Sequence, residues 1–180
     1  MAEEIFTAST ENLRDLKKQR KRICALVNRA IREKQDPDLI SLTKMYALLY
    51  SAYVETSFLK LIHTPKAFTE SEIIQIMAER NLEQKWLKCV DLAFNKLNTT
   101  NLGEVANKKQ TLHRLLQEYI IDPSQIRNKV AHGQWVYCLN NECTKVNHDT
   151  TALMANLDFV KIEKYFCIYY KFHQCILDLL

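Results

Sequence analysis

The chain has 180 residues, 47% apolar and 26% charged, with only two glycines, three prolines and a formal net charge of +4. That length and apolar share suffice for one domain with its own core, and the scarcity of Gly and Pro argues for helices joined by short connections and against a turn-rich sheet protein. The positive excess fits an anionic partner or a solvated surface equally well, so charge alone names neither.

From about Glu11 to Lys34, Leu13, Leu16, Ile23, Leu26, Val27, Ala30 and Ile31 recur at helical spacing, which predicts a long amphipathic helix. Lys17, Lys18, Arg20, Lys21 and Arg22 crowd its second and third turns. Two readings stand: a solvated face, favoured because no aromatic residues interleave, or a track for a phosphate backbone through Lys17, Arg20 and Lys21. Asp36-Pro37 then reads as N-cap and first-turn proline of a second helix to about His63. Leu42, Met45, Tyr46, Leu49, Ala52, Tyr53 and Leu59 form its expected apolar stripe, and Glu55 among those aromatics is expected to be a paired carboxylate at the core edge.

Thr69 with Glu72 spells a capping box for a short helix through Arg80, and Asn81 separates it from a helix over Leu82 to Leu97 that turns Trp86, Cys89, Val90, Ala93 and Phe94 inward. Asn98 to Gly103 is the clearest loop. A helix from about Glu104 to Ile121 follows, and Asp122-Pro123 repeats the cap-and-proline device to launch a short helix that Gly133 ends. Next, Trp135 to Leu139 and Glu142 to Val146 flank Asn140-Asn141 and predict a small β-hairpin with Cys138 opposite Cys143. With Asn156 as N-cap, a last helix to Leu180 carries Phe159, Ile162, Phe166, Tyr169, Tyr170, Ile176 and Leu177, suited to burial in a bundle or against a second copy.

No apolar run approaches the roughly 20 residues of a membrane span. The start, Met-Ala-Glu-Glu, lacks the basic-then-apolar order of a secretory signal, so the expected place is the cytoplasm, with no membrane partner. The six dispersed cysteines are expected to be reduced thiols. The spacing of Cys138, Cys143 and His148 fits no standard metal knuckle, so no metal and no other cofactor is expected.

The chemistry concentrates in Ile126 to Trp135, Ile-Arg-Asn-Lys-Val-Ala-His-Gly-Gln-Trp. Arg127 is a permanent cation able to grip a phosphate in bidentate fashion, and His132, five positions on, titrates near neutrality. Together they are a minimal kit for phosphodiester chemistry without a metal. Asn128 shares a helical face with His132 at i, i+4, and Lys129 adds a cation for an RNA strand. A bare Arg–His pair at such spacing arises by chance about 0.7 times in a chain of this composition, so the weight rests on the Asn, the Asp-Pro start and the Gly end.

At these residues the sequence resembles the HEPN superfamily, defined by an Arg, usually followed by a polar residue, and a His after four to six intervening residues, on a late helix of an α-helical bundle; here four residues separate Arg127 from His132. The resemblance implies an all-α fold, a HEPN-like bundle of about five to seven helices, here with the hairpin inserted before the last one, as a single domain over 1–180. It also implies a metal-independent endoribonuclease in which Arg127, Asn128 and His132 are catalytic. The enzyme would act on RNA as a homodimer whose two motifs share a cleft, in a toxin-antitoxin or antiviral defence setting, where a cognate antitoxin or a defence complex is a further partner. The same superfamily has members without catalysis that bind or scaffold, which is the alternative.

Overall fold

The amphipathic pattern of the amino-terminal quarter forms a helix longer than its spacing predicts. In the computed structural model, which describes residues 2–97 and 101–180, α1 runs Ala2–Arg32 with Glu3 and Glu4 in its first turn and Arg29 and Arg32 in its last, complementing the helix dipole at both ends. After it come α2 (Asp36–Ile62), α3 (Glu70–Met77), α4 (Leu82–Asn95), α5 (Leu102–Leu116), α6 (Asp122–Ala131), α7 (His148–Ala155) and α8 (Phe159–Leu177). The chain is all-α, and a π-helical turn, Gln117–Ile121, joins α5 to α6 without a break.

α2 packs against three other helices, α1, α6 and α8. Its burial is therefore not the single stripe expected. Thr43, Tyr46, Ala47, Tyr50, Ser51, Val54, Ser57, Phe58, Leu61 and Ile62 are buried around most of its circumference, while Met45 and Ala52 of the expected stripe are exposed. A helix enclosed on several sides loses the periodicity from which a stripe is read. Its N-cap is Gln35 and not Asp36, and no side chain caps it. The capping box does form: Thr69 Oγ1 accepts from Glu72 N at 3.2 Å and Glu72 Oε2 from Thr69 N at 2.7 Å, and that backbone donor leads in holding the Glu72 carboxyl below its usual range. Asn81 caps α4 and Asn101 caps α5. Residues 98–100 of the expected Asn98–Gly103 loop lie outside the described residues.

Asp122-Pro123 does not restart the chain; the helical path continues through it. Pro123 has no N–H to give the Tyr119 carbonyl one turn back, and a regular helix would bring its ring against that carbonyl. The π-turn widens the backbone here, and Tyr50 Oη of α2 donates to the Tyr119 carbonyl. The proline is thus absorbed within the rod, and α6 leaves it already anchored to α2.

The β-hairpin is not there. Leu139 and Val146 make one isolated antiparallel bridge, Asn140 N–H donates to Lys145 O at 2.9 Å, and Cys138 faces Asn147, not Cys143. The cause is Asn140, whose Oδ1 accepts from Thr144 N at 2.8 Å and Lys145 N at 3.2 Å and so closes a side-chain-centred loop in place of a two-residue turn. Cys143 sits on that loop with φ 56°. Beyond it α7 is an unforeseen helix, capped by Asn147, and the expected cap of the last helix, Asn156, instead ends α7; Asp158 caps α8.

Aromatic side chains of α2, α4 and α8 make the core. Trp86 is fully buried, with its ring 4.4 Å from Phe58 and 5.4 Å from Phe172, and Tyr169 stands edge-on to Tyr50 and Trp86. All six cysteines are free; Cys89 and Cys138 are buried, whereas Cys143, Cys167 and Cys175 are exposed. A polar latch binds α1 to this core. Arg20 grips Glu163 through Nε at 3.3 Å and Nη2 at 2.7 Å and lies 4.1 Å over the Phe166 ring, while Tyr46 Oη donates to the same carboxylate. Removing the charge by Glu163→Gln is expected to cost about 1 kcal/mol in a urea unfolding titration, since the pair is only partly exposed and shares a hydroxyl partner. An unchanged midpoint would mean that the latch is decorative.

Candidate functional site

The turn at Gly133 is built from the backbone outward. Gly133 adopts φ +77°, its N–H donates to Val130 O at 3.1 Å, and Gln134 N–H donates to Lys129 O at 2.9 Å, the paired bonds of a Schellman ending. No atom lies within 4 Å of where a Cβ on Gly133 would be. Gly133→Ala therefore tests backbone strain alone, and about 1 kcal/mol of lost stability is expected from equilibrium unfolding. A neutral result would show that the cap relaxes.

Three further bonds buttress the turn. Trp135 Nε1 donates to Val130 O at 3.0 Å, Lys44 Nζ of α2 donates to Trp135 O at 2.6 Å, and Leu139 N–H donates to Gln134 Oε1 at 2.7 Å. His132, the C-cap of α6, is exposed on this fixed support, and Asn128 is exposed one turn before it.

Arg127 goes elsewhere. Its guanidinium crosses to α2 and pairs with Glu55, the carboxylate expected to be paired, while its Nε is buried without a hydrogen-bond partner. Burial lowers the Arg127 pKa, yet a guanidinium beside a carboxylate stays charged. The five residues from Arg127 to His132 turn the helix by about 140°, so within one chain the two groups diverge: one is held against α2, the other faces solvent. The structure brings Asn128 and His132 onto one face and does not bring Arg127 to them.

The proposed RNA-binding cations divide similarly. Lys129 Nζ donates to Leu139 O at 2.6 Å and so ties α6 to the loop after it. Arg20 is held by Glu163. Lys17 and Lys21 are exposed. Among the described residues no three His, Cys, Asp or Glu side chains come together to hold a metal ion, and Cys138 is buried while Cys143 is exposed.

The neighbourhood of the turn holds features the sequence did not flag. A cleft of about 470 Å³ runs beside α6, lined by Tyr119 and Gln125 on one side and Lys161, Lys164 and Tyr165 on the other, and neither Arg127, Asn128 nor His132 lines it. Val136 and Tyr137, directly after the turn, are 69% and 66% exposed, and Ile40, which shares a groove with Val136, is 57% exposed. A Val-Tyr pair in what reads as a strand gave no sign of facing solvent. No helix is long and apolar enough to cross a membrane among the described residues. No family model, no curated protein and no solved structure matches the chain.

Proposed function

We propose that the chain is a metal-independent endoribonuclease of the HEPN type, acting as a homodimer. The observation that carries this reading is the exposure of Asn128 and His132 together on a rigid, Schellman-capped helix end. Conformational order at an exposed polar face is what positioned acid–base chemistry needs. His132 takes the proton of a ribose 2′-hydroxyl or gives one to the leaving 5′-oxygen, Arg127 stabilises the charge of the phosphorane, and Asn128 holds the phosphate or the imidazole. The 2′-oxygen bonds to phosphorus as the bond to the 5′-oxygen breaks, which leaves a 2′,3′-cyclic phosphate.

One imidazole does not readily serve both oxygens, and a two-fold partner supplies a second. The exposed Ile40, Val136 and Tyr137 beside the turn are apolar surface suited to such a contact. Lys17 and Lys21 are the α1 cations left for RNA phosphates, and control by an antitoxin or a defence complex belongs to the same reading. Purified protein incubated with RNA in EDTA should yield cyclic-phosphate ends and run as a dimer in sedimentation. Absence of cleavage across several RNAs and pH values would sink it.

A second reading, a non-catalytic helical interaction or RNA-binding module, is favoured by one specific contact. Arg127 has a carboxylate partner within its own chain, and His132 at a helix C-terminus interacts favourably with the dipole without any chemistry.

A further inference from the structure

A cleft of about 340 Å³ opens between α1, α2 and α8, away from the turn at His132. Its α2 wall is made by Tyr53, Ser57 and Lys60, spaced so that they share one helical face, with Thr64 just past the end of the helix. Glu55 lies about 200° around the helix from Tyr53, so this cleft and the Arg127–Glu55 pair occupy opposite sides of α2. α1 contributes Lys17, and α8 contributes His173 and Tyr170.

The charge lining it is of one sign. Two ammonium groups and an imidazole border the cleft and no Asp or Glu does. Neither Lys17 nor Lys60 has a carboxylate partner among the described residues; Lys60 Nζ lies instead 5.2 Å over the Phe6 ring. His173 Nε2 is buried without a hydrogen-bond partner. Burial above all, and then the nearby Lys60 and Lys17, press the His173 pKa below its usual value, against the Ser57 carbonyl that raises it. Folding alone does not reward this arrangement, because like charges repel and a buried ring nitrogen without a partner costs free energy. An anion in the cleft would lie between the two ammonium groups and beside the imidazole, offsetting their mutual repulsion. Phe6, Leu13 and Leu177 supply apolar wall, and Tyr170, 65% exposed, stands at the rim.

We propose that this cleft binds a small phosphate monoester with a flat apolar body, its phosphate at Lys17, Lys60 and His173 and its body against Leu177 and Tyr170. Two cations and a third polar partner match a dianion with three terminal oxygens better than a single carboxylate. The site shares Lys17 with the RNA surface of the ribonuclease reading but none of the groups proposed for its chemistry, and its ligand needs no contact with His132.

Calorimetric titration of the full chain with phenyl phosphate, inorganic phosphate and benzyl alcohol tests it. Phenyl phosphate should bind saturably at one site, more tightly than inorganic phosphate, and benzyl alcohol should give no measurable heat. Lys17→Gln and Lys60→Gln should each weaken phenyl phosphate about tenfold with unchanged circular dichroism, as expected for loss of a charged contact. Tyr170→Ala should weaken phenyl phosphate and leave inorganic phosphate unaffected, and the His173 ring proton resonances should move on titration in the parent and in His132→Ala alike. No saturable phenyl phosphate binding, binding indifferent to both lysine substitutions, or equal binding of benzyl alcohol would overturn the proposal.

Discussion

His132→Ala is expected to lower the rate of RNA cleavage about 10²- to 10⁴-fold, the range removed with a positioned general acid or base, while leaving thermal stability nearly unchanged. The separation of the two effects follows from the geometry. His132 is the exposed C-cap of α6, its backbone N–H is already bonded to Asn128 O at 3.1 Å, and the turn is held by Gly133, Trp135 and Gln134, not by the imidazole. Losing the ring removes a dipole interaction of about 0.5 kcal/mol and no packing. Single-turnover cleavage in EDTA and a denaturant titration of the same preparations measure both quantities. Cleavage that survives the substitution excludes His132 as the acid or base. In a two-fold site that needs both imidazoles, mixed dimers of His132→Ala with wild type should retain well under half of the wild-type activity, and a strictly proportional loss would speak against a second imidazole.

The helices were legible where one face of a helix meets the core and the other meets water, as in α1 and α4, and where an end is written in side chains, as at Thr69 and Glu72 or at Gly133. α2 was legible as a helix but not in its burial, because a helix covered by three neighbours leaves no polar stripe to orient it. Leu139 to Val146 failed for a local reason. Branched and aromatic residues around Asn-Asn spell a hairpin, and the Asn140 side chain takes the donors that the ladder would have used. α7 was hidden by its length of eight residues and by Thr150 and Thr151, whose intrinsic preference for a helix is weak. At the site, the exposed face of Asn128 and His132 was readable from i, i+4 spacing. The partnership of Arg127 with Glu55 was not, because it joins residues 72 apart through the packing of α6 on α2. Glu55 gave half of that signal: a carboxylate among Tyr and Phe needs a cation, and sequence does not say which one.

The Arg127–Glu55 pair is where the two functional readings make opposite demands. If Arg127 stabilises the phosphorane, Arg127→Ala should lower kcat about 10²- to 10³-fold with a smaller change in KM, and Arg127→Lys should restore part of it, since lysine keeps the charge and loses the fork. Glu55 touches no reacting atom; it is a positioning residue. Glu55→Gln leaves the cation and frees its direction, so an intermediate loss of about tenfold in kcat is expected, with substantial rescue by Glu55→Asp. Stability should respond differently. The pair is partly exposed, 28% at Arg127 and 42% at Glu55, so screening limits its coupling in a double-mutant cycle to about 0.5–1 kcal/mol. Glu55→Gln should be the more costly single change, because it strips the neutralising charge from the more buried partner, whose Nε already lacks a hydrogen bond. Arg127→Ala leaves a carboxylate that water can reach. If both substitutions lower stability by these amounts and leave RNA cleavage untouched, Arg127 serves the packing of α6 on α2 alone and has no part in the chemistry; if the parent protein cleaves no RNA while both substitutions still cost this stability, the interaction-module reading replaces the ribonuclease.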